Sequence, residues 1–212
     1  MKIRLFSIKD ILILFILLVI FEGCYKKDKL VGEYYLTDEM KQTVPFDGSE
    51  TIYFIDIEDT ITLNQGTRNN YINTIYISQT EYTYGEQNNT EFRTETGNYN
   101  IYLVLQSNYY YNPGRMKVIW GERNNNALVN EGEFHFRLPL SITTLEQGQW
   151  YLDEMEVQDV SYINVYCDSI GFIMGTDGPN HPKKVYYTEE AGIIKIDFTQ
   201  GNSWELLKID WD

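Results

Sequence analysis

Histidine and cysteine each occur only twice in the 212 residues, and their spacing excludes the common sites built from them. A zinc centre needs three or four converging ligands, yet the chain has neither a C-x-x-C nor an H-x-x-x-H pair. His135 falls on the polar side of an alternating segment and His181 in an Asn180-His181-Pro182 turn, so both are expected to be exposed and unpaired. Asp177, Gly178 and Asn180 lack the acidic spacing of a calcium loop, and turn chemistry accounts for them. There is also no G-x-S-x-G elbow, no Ser-His-Asp order and no phosphate-cradling glycine loop. Carboxylates are abundant, but abundance alone does not make the spaced acid pair of a glycosidase. The chain is therefore expected to hold no metal, no cofactor and no catalytic residue, and to be non-enzymatic.

Basic residues are scarce as well: 17 Lys and Arg against 31 Asp and Glu, a formal net charge of −14. Nucleic-acid binding rests on cations neutralising phosphates, so that class of partner is excluded. The acidity itself serves solubility. Long apolar runs are nearly absent, and the single exception, residues 11–21, is informative because of its flanks.

Lys2, Arg4 and Lys9 precede that run and Glu22-Gly23-Cys24 follows it. A basic head stays on the cytoplasmic side while the apolar stretch enters the export machinery. Eleven residues make only about 16 Å of helix against a hydrocarbon core of about 30 Å. Lengthening the run backwards would bury Lys9 and Asp10, which argues against a permanent transmembrane helix. No A-x-A-like pair of small residues follows, leaving Cys24 as the boundary. The segment resembles a bacterial lipobox, which Gly23 fits while Phe21 and Glu22 depart from the usual Leu and small residue. That resemblance implies a cleaved signal peptide at 1–23, a diacylated Cys24 carrying palmitate-type chains, and anchoring to membrane lipid. Residues 24–32 would then form a tether reaching at most about 30 Å, with Lys26, Lys27 and Lys29 against anionic headgroups.

Loss of residues 1–23 removes three basic and two acidic side chains, leaving the mature chain one unit more acidic still. It also leaves Cys167 without a partner in an oxidising compartment. Alternation through residues 161–167 places Cys167 on the face of Ile163 and Val165, in the core, where a thiol is inert rather than a nucleophile.

From residue 33 to 212 the chain is a succession of short Tyr-, Ile-, Val-, Phe- and Thr-rich runs separated by Asn, Gly and Asp clusters. It predicts one all-β domain, an antiparallel sandwich or a barrel-like sheet. Strands are expected at 51–57, 72–78, 99–106, 116–120, 132–138, 163–167, 183–187, 192–198 and 203–209, with a brief helix at 37–43. In 132–138, Phe134, Phe136 and Leu138 share one face, and Glu133, His135 and Arg137 the other. Turns are expected at 65–67, 84–85, 111–114, 123–126, 177–180 and 200–202, where Gly, Asn and Pro supply the needed dihedrals. Trp120 and Trp204, with Ile194, Ile196, Phe198 and Leu206, are expected in the core.

The closing stretch, Val185-Tyr186-Tyr187 and Gly192-Ile193-Ile194 followed by Trp204-Glu205-Leu206, is similar together with the leader to uncharacterised outer-membrane lipoproteins of the Bacteroidota. The resemblance implies a lipid-anchored place in the outer membrane, on either its periplasmic or its surface face, and no particular activity. Asp59-Thr60-Ile61 and Asp168-Ser169-Ile170 also resemble the O-glycosylation acceptor pattern of such exported proteins, making Thr60 and Ser169 candidates, Thr60 the better for lying between strands.

Tyrosine is the distinctive abundance, with 18 in the chain and three in a row at Tyr109-Tyr110-Tyr111 before Asn112-Pro113-Gly114. Three consecutive rings at a turn cannot all be buried, so Tyr109, Tyr110 and Tyr111 form a candidate ligand platform; tyrosines placed at the rim of the core are the plainer account. Three functional readings follow: a structural or interaction module of the envelope, a glycan- or small-ligand-binding surface lipoprotein, and a lipocalin-like carrier.

Overall fold

Alternating runs of β-branched and aromatic residues can bury one face only by pairing with neighbours, and this chain pairs nearly all of them into a single sheet. The computed structural model describes residues 27–57, 59–124, 127–169, 172–175 and 181–211. In chain order the elements are β1 (Lys29–Tyr34), α1 (Asp38–Gln42), β2 (Thr51–Asp56), β3 (Asp59–Tyr76), β4 (Glu81–Arg93), β5 (Tyr99–Ser107), β6 (Gly114–Asn124) and β7 (Ala127–Leu138). A 3-10 turn (Ile142–Thr144) leads to β8 (Gln149–Val157), β9 (Val160–Ser169), β10 (Phe172–Gly175), β11 (Pro182–Thr188), β12 (Gly192–Phe198) and β13 (Ser203–Asp210). The expected leader at 1–23, Cys24 and the turn at 177–180 lie outside the described residues. Among those described, no helix is long and apolar enough to cross a membrane.

The strand order is β10-β7-β6-β5-β4-β3-β2-β13-β12-β11-β9-β8, with β1 added parallel to β4. The sheet curls into a half-barrel, the barrel-like form of the expected all-β domain. The hinge of the curl is β3, 18 residues long: Asp59 to Leu63 pair with β2, and Asn64 to Tyr76 with β4. The two halves are held together by rings on the concave side. Trp120 of β6 meets Phe198 of β12 at 5.3 Å and Trp204 of β13 at 5.8 Å, and Tyr99 of β5 stands edge-on to Trp204 at 5.0 Å. Trp120, Trp204, Ile194, Ile196, Phe198 and Leu206 are all buried, as the alternation indicated.

Several segments differ from the sequence expectation. The first strand begins at Lys29, within the expected tether, because β1 finds a partner in β4 that its own sequence does not announce. β4 itself reads as polar, yet Glu86, Asn88 and Thr90 are buried. Two of the three are satisfied: Glu86 accepts the Leu36 N–H at 2.9 Å and the Lys41 ammonium at 2.7 Å, and Asn88 accepts Arg68 Nε at 3.0 Å, whereas the buried Thr90 hydroxyl has no hydrogen-bond partner among the described residues. The expected turns at 65–67 and 84–85 are strand interiors; at both glycines a side chain would run into neighbouring backbone, the Gly48 carbonyl at Gly66 and the Ser107 carbonyl at Gly85. Asn164 adopts φ 56, and across it the core side of β9 changes parity. Val165 and Cys167 are buried, whereas Ile163 is 61% exposed and Tyr162 packs on the core instead.

Candidate functional site

The connection from β5 to β6 holds the tyrosine triplet. Asn108 organises it: its Oδ1 accepts the backbone N–H of Tyr110 at 2.8 Å and of Tyr111 at 3.0 Å, which is the local competition that short amide side chains offer to strand pairing. The Asn112-Pro113 peptide is cis, and Ser107 Oγ donates to the Pro113 carbonyl at 2.7 Å. Held this way, Tyr109 and Tyr110 project outward, 51% and 63% exposed. Their rings stand edge to face at 5.4 Å, and Tyr34 of β1 supports Tyr109 edge-on at 6.3 Å.

Tyr111 departs from the pair. It is half-buried under the Arg115 guanidinium, 5.0 Å from the ring centroid, so two of the three expected rings are offered together and the third is covered. A depression of about 90 Å³ beside them is lined by Tyr110, Tyr111, Asn112, Pro113, Arg115 and Arg137. Glu146 ties both guanidinium groups, at 3.0 Å to Arg115 Nη2 and 2.6 Å to Arg137 Nε. The floor is thus polar, two guanidinium groups sharing one carboxylate with a net positive charge. It is far below the roughly 300 Å³ of an enclosing ligand pocket, so the chemistry available is surface recognition: the Tyr110 face against an apolar ring face, with Asn112 and Arg137 near its hydroxyls.

The other expected positions are dispersed. Thr60 is exposed but lies inside β3, paired with Ile55, rather than between strands. Ser169 ends β9 with its hydroxyl donating to the Gly148 carbonyl at 2.9 Å, and the preceding Asp168 is buried. Cys167 is buried and free, and burial pushes its thiol up to about 12. The expectation for the histidines does not hold: His181 is 2% exposed, and His135 Nε2 sits 2.8 Å from Glu133. The first is enclosed at the head of β11, where its carbonyl accepts the Thr199 N–H at 2.9 Å; the second is engaged by its same-face neighbour two residues back on β7.

That pairing is part of a cluster the sequence did not reveal. Lys117 of β6 and His135 of β7 both reach Glu133 Oε1 at 2.8 Å. The His135 hydrogen bond, aided by Lys117, holds the Glu133 carboxyl down at about 2 against its partial burial. Asp168 of β9 approaches the same strand and accepts the His135 N–H at 2.8 Å, while burial pushes its carboxyl up to about 6. Alternation already put Glu133 and His135 on one face; Lys117 and Asp168 join them only through the β6–β7 register and the curl of the sheet. Among the described residues no group of three or more His, Cys, Asp or Glu is arranged to hold a metal ion.

A wider open depression of about 440 Å³ lies at α1, lined by Asp38, Lys41, Gln42, Val44, Pro45 and Arg68. Its cations are committed within the chain. Arg68 donates to the carbonyls of Phe46 at 2.7 Å and Lys41 at 3.0 Å, and Lys41 pairs with Glu86. Comparison of the chain with family models, with curated proteins and with solved structures gave no match.

Proposed function

We propose that this chain is a lipoprotein of the cell envelope, moored to the outer membrane by an acylated Cys24, whose β-domain is a non-enzymatic interaction module. The observation that carries the reading is the order of the first two dozen residues: a basic head, an apolar run too short to span, and a cysteine at its end. The start of the fold is compatible with a close mooring. Lys29 N–H donates to the Thr80 carbonyl at 2.8 Å, fixing β1 five positions after Cys24, a distance of at most about 18 Å. Mass spectrometry of the mature amino terminus tests this directly. A chain starting at Cys24 with a thioether-linked diacylglyceryl group is expected; a different first residue with an unmodified thiol would sink it.

A second reading, recognition of a glycan or small ligand, is favoured by one observation, the two exposed rings held by the Asn108 turn. A glycan array should then return a ligand whose affinity falls on Tyr110→Ala. A blank array, or an affinity indifferent to that substitution, leaves the interaction module without a sugar site. The carrier reading asks for an apolar cavity, and the rings of Trp120, Phe198 and Trp204 filling the concave side support interaction over carriage. Thr60, being exposed, is the better of the two proposed glycosylation sites.

A further inference from the structure

A strand at the rim of a sheet shows unpaired N–H and C=O groups, and chains guard such rims with charge, proline, bulges or brevity. Most rims here are guarded. β8, last in the strand order, carries Asp153, Glu154 and Glu156; β10, at the other end, has only four residues. β1 is six residues long, carries Lys29 and Glu33, and shifts register between Leu30 and Gly32.

β3 differs. β2 covers its first segment, and the loop at Gly48 lies against the backbone of Thr67 and Arg68. Beyond that, from residue 69 to 76, no described strand occupies the edge opposite β4. This stretch, Asn-Asn-Tyr-Ile-Asn-Thr-Ile-Tyr, has no charge, no proline and no glycine, in a chain whose net charge is −14. Seven of its eight residues are exposed, among them Tyr71, Ile72 and Tyr76. It offers about 27 Å of backbone edge at roughly 3.4 Å per residue.

We infer that this edge is an interface between two copies of the chain, paired antiparallel along residues 69–76 about a twofold axis near Asn73. Self-pairing there sets no like charges opposite each other, which the acidic β8 edge would do. An axis at Asn73 sets Tyr71 against Ile75 and Ile72 against Thr74, aromatic and β-branched pairs of the kind that stabilise antiparallel ladders, and brings the two Asn73 amides face to face. A foreign strand has no charge on this edge to recognise, whereas a second copy is self-complementary by symmetry.

The test uses the full chain expressed with its own amino terminus and single substitutions Ile72→Cys, Asn73→Cys and Thr60→Cys, oxidised in the membrane fraction and resolved without reductant. Cys167 is buried, and the unsubstituted chain sets the background from the native cysteines. Asn73→Cys, which faces its own copy across the axis, should give a species of twice the mass of the single chain several-fold above that background; Ile72→Cys, whose copies lie diagonally across the axis, should give less, and Thr60→Cys, exposed on the paired half of the same strand, should give none. No excess at position 73, an equal yield at Thr60→Cys, or a crosslink to a protein of another mass overturns the inference. Asn73→Lys, which sets two ammonium groups together, should weaken association about tenfold in light scattering while the circular dichroism spectrum of the folded chain is unchanged. Unchanged association in that variant overturns it equally.

Discussion

The Asp168 carboxylate of β9 accepts the backbone N–H of His135 of β7 at 2.8 Å, and Gln149 of β8 donates to the His135 carbonyl. β10 pairs with β7 only from Asn130 to Glu133, so His135 lies on a stretch that strand leaves open. Two side chains from the far end of the sheet therefore satisfy the peptide groups that a neighbouring strand would otherwise take. The curl is closed by side chains where the ladder stops, and the cost is a buried carboxylate.

That cost sets a pH dependence. An aspartate titrates ordinarily at about 4, and in the fold Asp168 is pushed up to about 6 by burial, partly countered by the His135 N–H. The folded chain then binds more protons than the unfolded chain between these values, so this group's contribution falls as pH rises from about 4 to 6 and stays low above. Asp168→Asn keeps an acceptor and removes the charge. Urea unfolding at pH 4 and pH 7 should show the variant gaining on the parent by on the order of 2 kcal/mol between the two. A parallel pair of curves would contradict the assignment.

Glu133 works in the opposite direction. Held down at about 2 by His135 and Lys117, it binds fewer protons in the fold than in the unfolded chain below about pH 4.5. Its contribution is present above that value and is lost as pH falls toward 2. Glu133→Gln should therefore unfold less steeply on acidification than the parent while being the weaker of the two at pH 6. Acid titration followed by circular dichroism reads both effects.

The placement of such groups shows where sequence reasoning reached and where it stopped. The strand at Gly192–Phe198 and the helix flanked by Thr37 and Thr43 could be read directly, because each rests on local chemistry: alternation for one, and for the other a threonine side chain that accepts the Met40 N–H at 3.2 Å. β4 could not, since its inward residues are the polar Glu86, Asn88 and Thr90, the first two satisfied by Lys41, Leu36 and Arg68, which are distant in sequence. Gly66 and Gly85 read as turns because a glycine's permissive backbone and its lack of a side chain give the same letter; here the missing side chain is what the packing uses. The exposure of Tyr109 and Tyr110 was legible from three rings in a row, but the loss of Tyr111 to Arg115 needed the β6 backbone in place.

Arg68 links the amino-terminal segment to the sheet. Its guanidinium donates to the Lys41 and Phe46 carbonyls and to Asn88 Oδ1, all within 3.0 Å. Removing it strands two carbonyls and an amide under partial burial, each an unmade bond costing about 1 kcal/mol or more. Arg68→Ala should lower stability by roughly 2–4 kcal/mol, and Arg68→Lys should recover little of it, because one ammonium cannot span three acceptors in a fixed fork. Thermal melts of the two variants decide the matter; a full rescue by lysine would show that charge alone is at work.

Gly192 begins β12 with φ +70, and a methyl there would lie 2.5 Å from Cε2 of the Phe46 ring. Both the backbone angle and the ring oppose any side chain, and Phe46 is itself clamped between Phe92 at 5.1 Å and Trp211 at 5.7 Å. Gly192→Ala should cost about 2 kcal/mol or more, read as a lowered urea midpoint. Pairing it with Phe46→Leu, which opens the space, should cost less than the two separate losses combined. Strict additivity would place the penalty in the backbone angle alone.

Cys167 and Cys24 make opposite demands on one assay. The Cys167 thiol is enclosed, with the Val165 carbonyl 3.9 Å from its sulfur, and burial pushes it up to about 12, so almost no thiolate exists near neutral pH. Maleimide should leave it unlabelled until the chain is unfolded. Cys167→Ser buries a hydroxyl with one distant acceptor and should cost about 1–3 kcal/mol, with the protein still in the membrane fraction. Cys24→Ser should leave the stability of the β-domain alone, since β1 starts only at Lys29, and should abolish lipid labelling. Lipid label persisting in the Cys24→Ser chain would remove the anchor from position 24, whereas rapid native labelling of Cys167 would mean that the β8–β9 end of the sheet opens on the timescale of the reaction.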